Sequence, residues 1–209
     1  MTRPATPILS KDIIADAALE LVEKSGDLQM VALAKHLGVA PSSLYTHVHG
    51  RAEVIDLARS RILENIDPMP PEDDWRSAVE RLLRQLATQY SRHLRLLPLI
   101  FATSFFNEKA ISVYEPVFNS LLRAGFRPDQ LRLIIALIDF QALGLAQGLP
   151  EPVMTENIRA SLPGYTASVD HSQYSPSTSI DFSVEVILQG LEARLKASAA
   201  PEQTMKSVE

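Results

Sequence analysis

Apolar residues recur three and four positions apart along most of this chain, and almost no stretch alternates apolar and polar residues as a half-buried strand does. Glycines close several of these stripes, among them Gly26, Gly38 and Gly148. The pattern therefore predicts an all-α fold of eight or nine helices. Residues 67–74, DPMPPEDD, contain three prolines, which interrupt any helix and divide the chain into a smaller and a larger part.

The predicted organisation is a flexible arm over residues 1–9, a small helical domain over 10–66, a larger helical domain over 67–199 and a disordered tail over 200–209. In the small domain, helices are expected over residues 10–25, 29–37, 41 to about 48 and 51 to about 66, with Ser10 as the first N-cap. In the larger domain, they are expected over residues 75 to about 96, 98–106, 107–124 with a kink at Pro116, 129–147 and 179–199. Residues 149–178 are predicted to be a long mobile connection with one turn of helix near 155–160, and a candidate lid.

The composition excludes several classes of protein. Twenty basic and 25 acidic residues give a formal charge of −5, so any affinity for nucleic acid must come from a local patch. The absence of cysteine excludes disulfides and thiolate zinc sites. We expect a cytoplasmic protein without a membrane partner, because no apolar run approaches the roughly 18 residues that span a bilayer and no apolar signal region opens the chain.

Residues 28–51, LQMVALAKHLGVAPSSLYTHVHGR, fit a helix–turn–helix. That motif needs a small residue where its helices cross, a turn glycine at positive φ, an apolar residue directly after it and a short polar helix that faces outward. These requirements are met by Ala34, Gly38, Val39 and the segment from Ser42. No carboxylate lies between residues 27 and 53, so the motif offers DNA phosphates no repelling charge.

The run GVAPSSLYTHVHGRAEVIDLA resembles the signature of the tetracycline-repressor (TetR) family, over about residues 10–65. The larger domain is similar to that family in outline, at Asp-Asp-Trp before the long helix, Arg-Ala-Gly-Phe at 123–126 and the stretch 182–191. The resemblance implies a three-helix DNA-binding domain followed by a ligand-binding and dimerisation bundle. It also implies a homodimeric transcription regulator, generally a repressor, that leaves a double-stranded DNA operator when a small-molecule effector fills the larger domain.

The resemblance carries DNA-binding roles to particular residues. Ser42 and Ser43 fall where the recognition helix of the family meets bases and phosphates. Tyr45 and His47 fall where hydroxyl and imidazole groups contact phosphate, and Arg51 takes the basic position at the start of the next helix. Alternatively, Tyr45 is a packing residue of the three-helix core.

Two further DNA-binding candidates leave alternatives open. Gln29 stands where the family has a serine or threonine cap, so either Asp27 caps the second helix or Gln29 itself donates to DNA. Thr46 lies four residues after Ser42, where it reads a base edge or stays idle.

The larger domain offers candidate effector contacts. An apolar pocket with a few polar anchors is typical of small-molecule sites, and the candidates for it are Phe101, Phe105, Phe106, Tyr114, Phe140 and Gln141. The alternative is that these residues form an ordinary core. Asp139 lies in an otherwise apolar helix and needs a partner there, for which Arg95 and Arg132 are the candidates.

The helices expected over 129–147 and 179–199 carry more apolar surface than one protomer buries, which predicts a four-helix dimer interface. No catalytic motif appears, so we expect no enzyme, no cofactor and no metal, and we interpret His36, His47 and His49 as hydrogen-bond donors. A DNA-binding adaptor with protein partners, or a small helical carrier or enzyme, is the alternative function.

Overall fold

The computed structural model describes residues 9–70, 74–103 and 108–199. Within these ranges the chain forms twelve helices and no strand, which confirms the all-α prediction and exceeds the eight or nine helices expected. The predicted tail and all of the predicted arm except Leu9 lie outside the described residues. The helices are α1 Lys11–Ser25, α2 Met30–Leu37, α3 Pro41–Leu44, α4 Arg51–Leu63, α5 Trp75–Ser91, α6 Leu97–Phe101, α7 Glu108–Ser112, α8 Glu115–Ala124, α9 Pro128–Gln147, α10 Glu156–Ser161, α11 Pro163–Asp170 and α12 Pro176–Ala199.

The first four helices form a small unit around α1, which packs along α4 and α2. Ser10 caps α1 as predicted, since its hydroxyl oxygen accepts a hydrogen bond from the Ile13 N–H at 3.3 Å. Gly26 ends the helix at φ 74°, in the left-handed region that favours glycine. Ile14, Leu33 and Leu44 are completely buried and join the helices through one apolar core.

The turn between α2 and α3 is the predicted one, but α3 is shorter than expected. Gly38 adopts φ 68° and ends α2. The N–H groups of His47 and Val48 both bond to the Leu44 carbonyl, at 2.9 and 3.0 Å, so the α-helical pattern closes at Leu44 and residues 45–47 form a turn. Val48 is buried and fixes the end of that turn to the core.

The larger part of the chain is built around α5, which packs against α8, α9 and α12. Asp74 caps it as predicted, because its carboxylate accepts from the N–H groups of Arg76 at 2.8 Å and Ser77 at 3.2 Å. Leu82, Leu83 and Leu86 are fully buried on its inner face. The helix ends at residue 91 rather than near 96, and α6 follows after a series of turns.

Pro116 breaks the chain more sharply than the predicted kink. α7 ends at Ser112, and α8 begins at Glu115 with the proline in its first turn. A proline has no N–H to donate and clashes with the preceding turn, so it suits the start of a new helix better than the interior of an old one. The predicted cap at Asn107 lies outside the described residues.

The prediction of a largely structureless connection over 149–178 is wrong, although α10 confirms the helical turn expected near 155–160. α10 and α11 occupy its middle, and Arg159 Nη1 bonds to Asp170 Oδ2 at 2.6 Å to hold the two helices together. The Tyr174 hydroxyl oxygen accepts from the Leu149 N–H at 2.7 Å and joins the ends of the segment. Local caps and pairs of this kind order a proline-rich stretch without a buried core.

Candidate functional site

The short α3 and the turn after it present polar side chains outward. Ser42 and Thr46 are exposed, Ser43 and His47 are half-buried, and 55% of Tyr45 is accessible, which excludes Tyr45 as a core residue. Ser42 makes no side-chain hydrogen bond within the described part of the chain. The Thr46 hydroxyl donates to the Ser43 carbonyl at 2.7 Å, and its oxygen keeps capacity to accept.

Of the two explanations for Gln29, the structure contradicts the cap by Asp27, and the donation from Gln29 to DNA stays a prediction. The α2 N-cap has no side-chain hydrogen bond, and Asp27 instead accepts from the Leu28 N–H at 2.8 Å and from Gln29 Nε2 at 3.3 Å. The hydrogen bond from Leu28, followed by those from Arg51 and Gln29, lowers the pKa of Asp27 below its ordinary value. Gln29 itself is exposed at the start of the motif.

Arg51 makes contacts within the chain that the sequence did not suggest. Its Nε donates to the Leu28 carbonyl at 2.7 Å, and its Nη2 donates to Asp27 Oδ1 at 3.0 Å. Arg51 therefore ties the start of α4 to the loop before α2. A phosphate contact by the same guanidinium stays a prediction.

The second carboxylate that flanks the motif is also neutralised. Glu53 accepts from Lys11 Nζ at 2.7 Å and from the backbone N–H and ring Nδ1 of His49 at 2.7 and 2.8 Å. Burial raises the pKa of Glu53, but these hydrogen bonds outweigh that effect and lower it to about 2. Because Asp27 and Glu53 are both paired with cations, they add little repulsion toward a phosphate backbone.

Two of the three histidines of the motif, His36 and His49, have ordinary hydrogen-bond partners. His36 Nε2 lies 3.0 Å from Glu20 Oε2, and His49 contacts Glu53 as described. Across residues 9–70, 74–103 and 108–199, no three histidines or acidic residues are close enough together to hold a metal ion.

A cavity of about 730 Å³ lies in the larger part of the molecule, between α4, α6, α7, α8 and α9. Phe101, Tyr114 and Phe140, three of the predicted effector contacts, line it. Phe105 and Phe106 lie outside the described residues. The remaining lining residues were not predicted as effector contacts. They are Arg59, Ile100, Thr103, Ile111, Phe118, Arg132, Ile135, Ala136, Asp139 and Leu143.

The prediction that Gln141 lines this cavity is wrong. Its Nε2 donates to the Ser183 hydroxyl of α12 at 3.0 Å, and it borders a different groove, between α9 and α12. Successive residues of an α-helix point about 100° apart, so Asp139 and Leu143 face the cavity while Gln141 faces the neighbouring helix.

A buried polar cluster forms one wall of the cavity. Arg59, with only 5% of its surface accessible, donates from Nη2 to Asp139 Oδ2 at 2.7 Å. The hydroxyls of Tyr90 and Tyr114 donate to Asp139 Oδ1 at 2.9 and 3.0 Å. The Asp139 partner is thus Arg59 of α4, and the expectation of Arg95 or Arg132 is wrong. Arg95 instead donates to the Lys24 carbonyl at 3.0 Å.

Electrostatics stabilise the charged form of this cluster. Burial alone would lower the pKa of Arg59, but the neighbouring Tyr90, Asp139 and Tyr114 raise it above the ordinary value. Burial, reinforced by Asp139, raises the pKa of Tyr114. Arg59 is therefore a buried cation paired with a carboxylate, and removing either partner alone destabilises the fold.

The cluster connects the two parts of the chain through α4. That helix begins at Arg51, beside the helix–turn–helix, and Arg59 lies eight residues later, about 12 Å along its axis. The requirement of Asp139 for a partner was visible in the sequence. The identity of the partner was not, because 80 residues separate the two.

Two helices present large apolar side chains to solvent. Leu133 of α9 is 69% accessible and Phe182 of α12 is 68% accessible. Four residues further along the same helices, Leu137 and Val186 are also exposed. Exposed apolar residues at such spacing are typical of a surface that packs against another chain.

No helix in the described ranges combines the length and the apolar character that a bilayer crossing requires.

Comparison with known proteins adds a family relationship. Residues 67–147 match the family model of the tetracyclin repressor-like C-terminal domain. The chain is similar to HTH-type transcriptional repressor DrrR1 of Streptomyces coeruleorubidus, with 25% identity over 228 residues that cover 96% of this chain and 84% of the relative. It is also 30% identical over 129 residues to an HTH-type transcriptional regulator of Saccharopolyspora erythraea, which covers 60% of this chain and 55% of that relative.

Solved structures show the same fold. The TetR family protein ActR of Streptomyces coelicolor, in complex with actinorhodin, superposes with a TM-score of 0.73 at 20% identity, over 90% of this chain and 99% of that one.

Proposed function

We propose that this chain, as a member of the TetR family of transcriptional regulators, is a homodimeric repressor. In this proposal it binds a palindromic DNA operator and leaves that operator when a small molecule fills the cavity. The observation that carries this proposal is that α4 extends from the helix–turn–helix to the cavity. It begins at Arg51, and its Arg59 lies in the cavity wall. The proposal assigns DNA binding to residues 10–66 and effector binding and dimerisation to residues 67–199. It includes no catalytic, cofactor or metal role, and it places the protein in the cytoplasm, where its DNA target lies.

The exposed polar face of the motif supports DNA binding. Ser42, Tyr45 and Thr46 offer exposed hydroxyl groups to bases and phosphates. Beside them, Ser43 offers a partly accessible hydroxyl and His47 a partly accessible imidazole. Gln29 is exposed at the start of the motif and Arg51 at the start of α4. We propose all seven as operator contacts, with Arg51 holding the motif together as well.

The exposed apolar residues of α9 and α12 support a dimer. Two copies that meet about a twofold axis through Leu133, Leu137, Phe182 and Val186 bury these side chains in a four-helix interface. The two motifs then address half-sites one helical turn apart, about 34–36 Å, in successive major grooves.

The cavity supports an effector. Its volume of about 730 Å³ lies within the range of sites for drug-sized molecules, and Phe101, Tyr114 and Phe140 give it aromatic walls. The similar protein ActR is described in complex with actinorhodin. A ligand shifts the equilibrium between DNA-binding and released conformations only if it binds one of them more tightly, and α4 is the element that both sites contact.

A charge-insertion pair tests the DNA-binding face. An operator is first selected from random duplexes, and its affinity is then measured by gel shift over a series of salt concentrations. Ser42→Glu places a carboxylate at an exposed position with no side-chain hydrogen bond to lose. We expect it to weaken binding at least about tenfold, because a new negative charge opposes the phosphate interaction.

Ser168→Glu is the matched control, since it adds the same charge on the exposed α11. We expect it to leave affinity within about twofold of the unchanged protein. Equal operator affinities for the two variants would contradict the assignment of α3 and its turn to DNA.

A further inference from the structure

We infer that the cavity takes an organic anion, an aromatic molecule that carries one acidic group, and that Arg132 receives the acid. This inference deepens the proposed function, because it names the chemical class of the effector and rests on the cavity being the effector site. It is carried by the charges that line the cavity and by what each of them already contacts.

Three charged residues line the cavity, and two of them are occupied by each other. The Asp139 carboxylate accepts three hydrogen bonds, from Arg59, Tyr90 and Tyr114, and Arg59 is its ion-pair partner. Arg132 is exposed and forms no hydrogen bond or ion pair with any of the residues that the structure describes. The lining therefore keeps one uncompensated positive charge, in a chain whose formal charge is −5.

That charge distribution discriminates between ligand classes. An anion finds in Arg132 a planar donor that forms charge-assisted, often bidentate, hydrogen bonds with a carboxylate or sulfonate. A cation meets an unpaired guanidinium and a carboxylate that three donors already engage. A neutral molecule contacts only the apolar walls. If Arg132 were removed, the acidic group of a bound anion would lack a counter-charge.

The walls select an aromatic framework. Phe101 remains 55% accessible and Ile111 is exposed although both line the cavity, and Phe118 is half-buried beside them. A flat apolar ligand covers such side chains and stacks on their rings. The aromatic walls and the single cationic group at Arg132 together describe an aromatic acid.

Two fluorescent probes of nearly the same framework separate charge from shape. Anilinonaphthalene sulfonate carries one negative charge, and N-phenylnaphthylamine is its uncharged counterpart. Titration of the full-length dimer with each probe gives two dissociation constants. We expect Arg132→Gln to weaken the sulfonate about tenfold, the effect of roughly one charge-assisted hydrogen bond, and to leave the uncharged probe within about twofold.

Two control variants locate the effect. Arg92→Gln removes the same charge from an exposed position at the end of α5, away from the cavity lining, and should change neither constant. Ala136→Trp fills the cavity and should weaken both probes, which shows that they bind there. Circular dichroism confirms that each variant is folded.

The outcomes are separable from those of the DNA experiment. The inference is overturned if Arg132→Gln leaves the dissociation constant of the sulfonate unchanged or weakens the binding of both probes equally. It is also overturned if neither probe binds the unchanged protein. If the protein still binds the operator in the gel shift under any of these results, the proposed function as a regulator is retained. Only the assignment of its ligand to organic anions is then withdrawn.

Discussion

Removal of Asp139 alone should destabilise the protein far more than removal of Asp139 and Arg59 together. Asp139→Leu leaves the Arg59 guanidinium buried without its carboxylate, and an arginine does not lose its charge in a protein. It also takes the acceptor from the hydroxyls of Tyr90 and Tyr114. Breaking a buried pair in this way costs about 3–5 kcal/mol of unfolding free energy. For a chain of this size, that corresponds to a fall in Tm of about 6–20 °C.

The other two variants of the cycle should behave differently. Arg59→Met leaves a carboxylate that can take up a proton and still has two hydroxyl donors, so we expect a smaller loss, about 2 kcal/mol. The double variant replaces both charges with apolar side chains of similar volume, a change that is often close to neutral in buried pairs. We therefore expect the double variant to lie within about 2 kcal/mol of the unchanged protein.

Urea denaturation at one fixed protein concentration measures all four species, because the stability of a dimer depends on protomer concentration. The coupling energy is the amount by which the double variant is more stable than the sum of the single losses predicts. A coupling near zero, with both single losses simply added in the double variant, would refute the view that Arg59 and Asp139 stabilise each other across α4 and α9.

Three further predictions address the motif and the dimer. The pKa of Glu53 is lowered to about 2 in the folded chain from an ordinary 4.5, so its stabilisation is complete above about pH 5 and is lost as pH falls toward 2. The difference in unfolding free energy between the unchanged protein and Glu53→Gln should shrink over that range, and a constant difference would contradict the assignment. Tyr45→Ala should weaken operator binding several-fold at an unchanged Tm, whereas Tyr165→Ala on α11 should not, and equal losses in gel shift would remove Tyr45 from the interface. Phe182→Glu should shift the protein toward monomers in analytical ultracentrifugation. Val153→Glu, at an equally exposed position outside α9 and α12, should leave the dimer intact. If both variants remain dimeric, the interface lies elsewhere.

Much of the candidate DNA-binding surface was predictable because its determinants are local. The cap at Ser10, the left-handed glycines at positions 26 and 38 and the outward position of Tyr45 all follow from residues within a few positions of one another. The exposed apolar residues of α9 and α12 follow in the same way from helical periodicity. The DNA-binding roles of these positions come from the family resemblance and stay predictions.

Local signals were less reliable where two tendencies compete. Proline at position 116 permits either a kinked helix or a new one, and the structure has a new one. The proline-rich segment over 149–178 was expected to contain one turn of helix at most. Arg159 and Tyr174 instead hold it together through hydrogen bonds that no hydrophobic pattern reveals.

The sequence by itself determined the helical class, the helix–turn–helix and the excess of apolar surface on two helices, because periodicity, caps and turns are set by neighbours along the chain. Only the tertiary structure decided that Asp139 pairs with Arg59, that Gln141 faces Ser183 and that Arg132 is left without a partner among the described residues. Those contacts depend on how α4, α9 and α12 are oriented against one another. A one-dimensional pattern does not contain that orientation, since it follows from the packing of side chains that lie tens of residues apart.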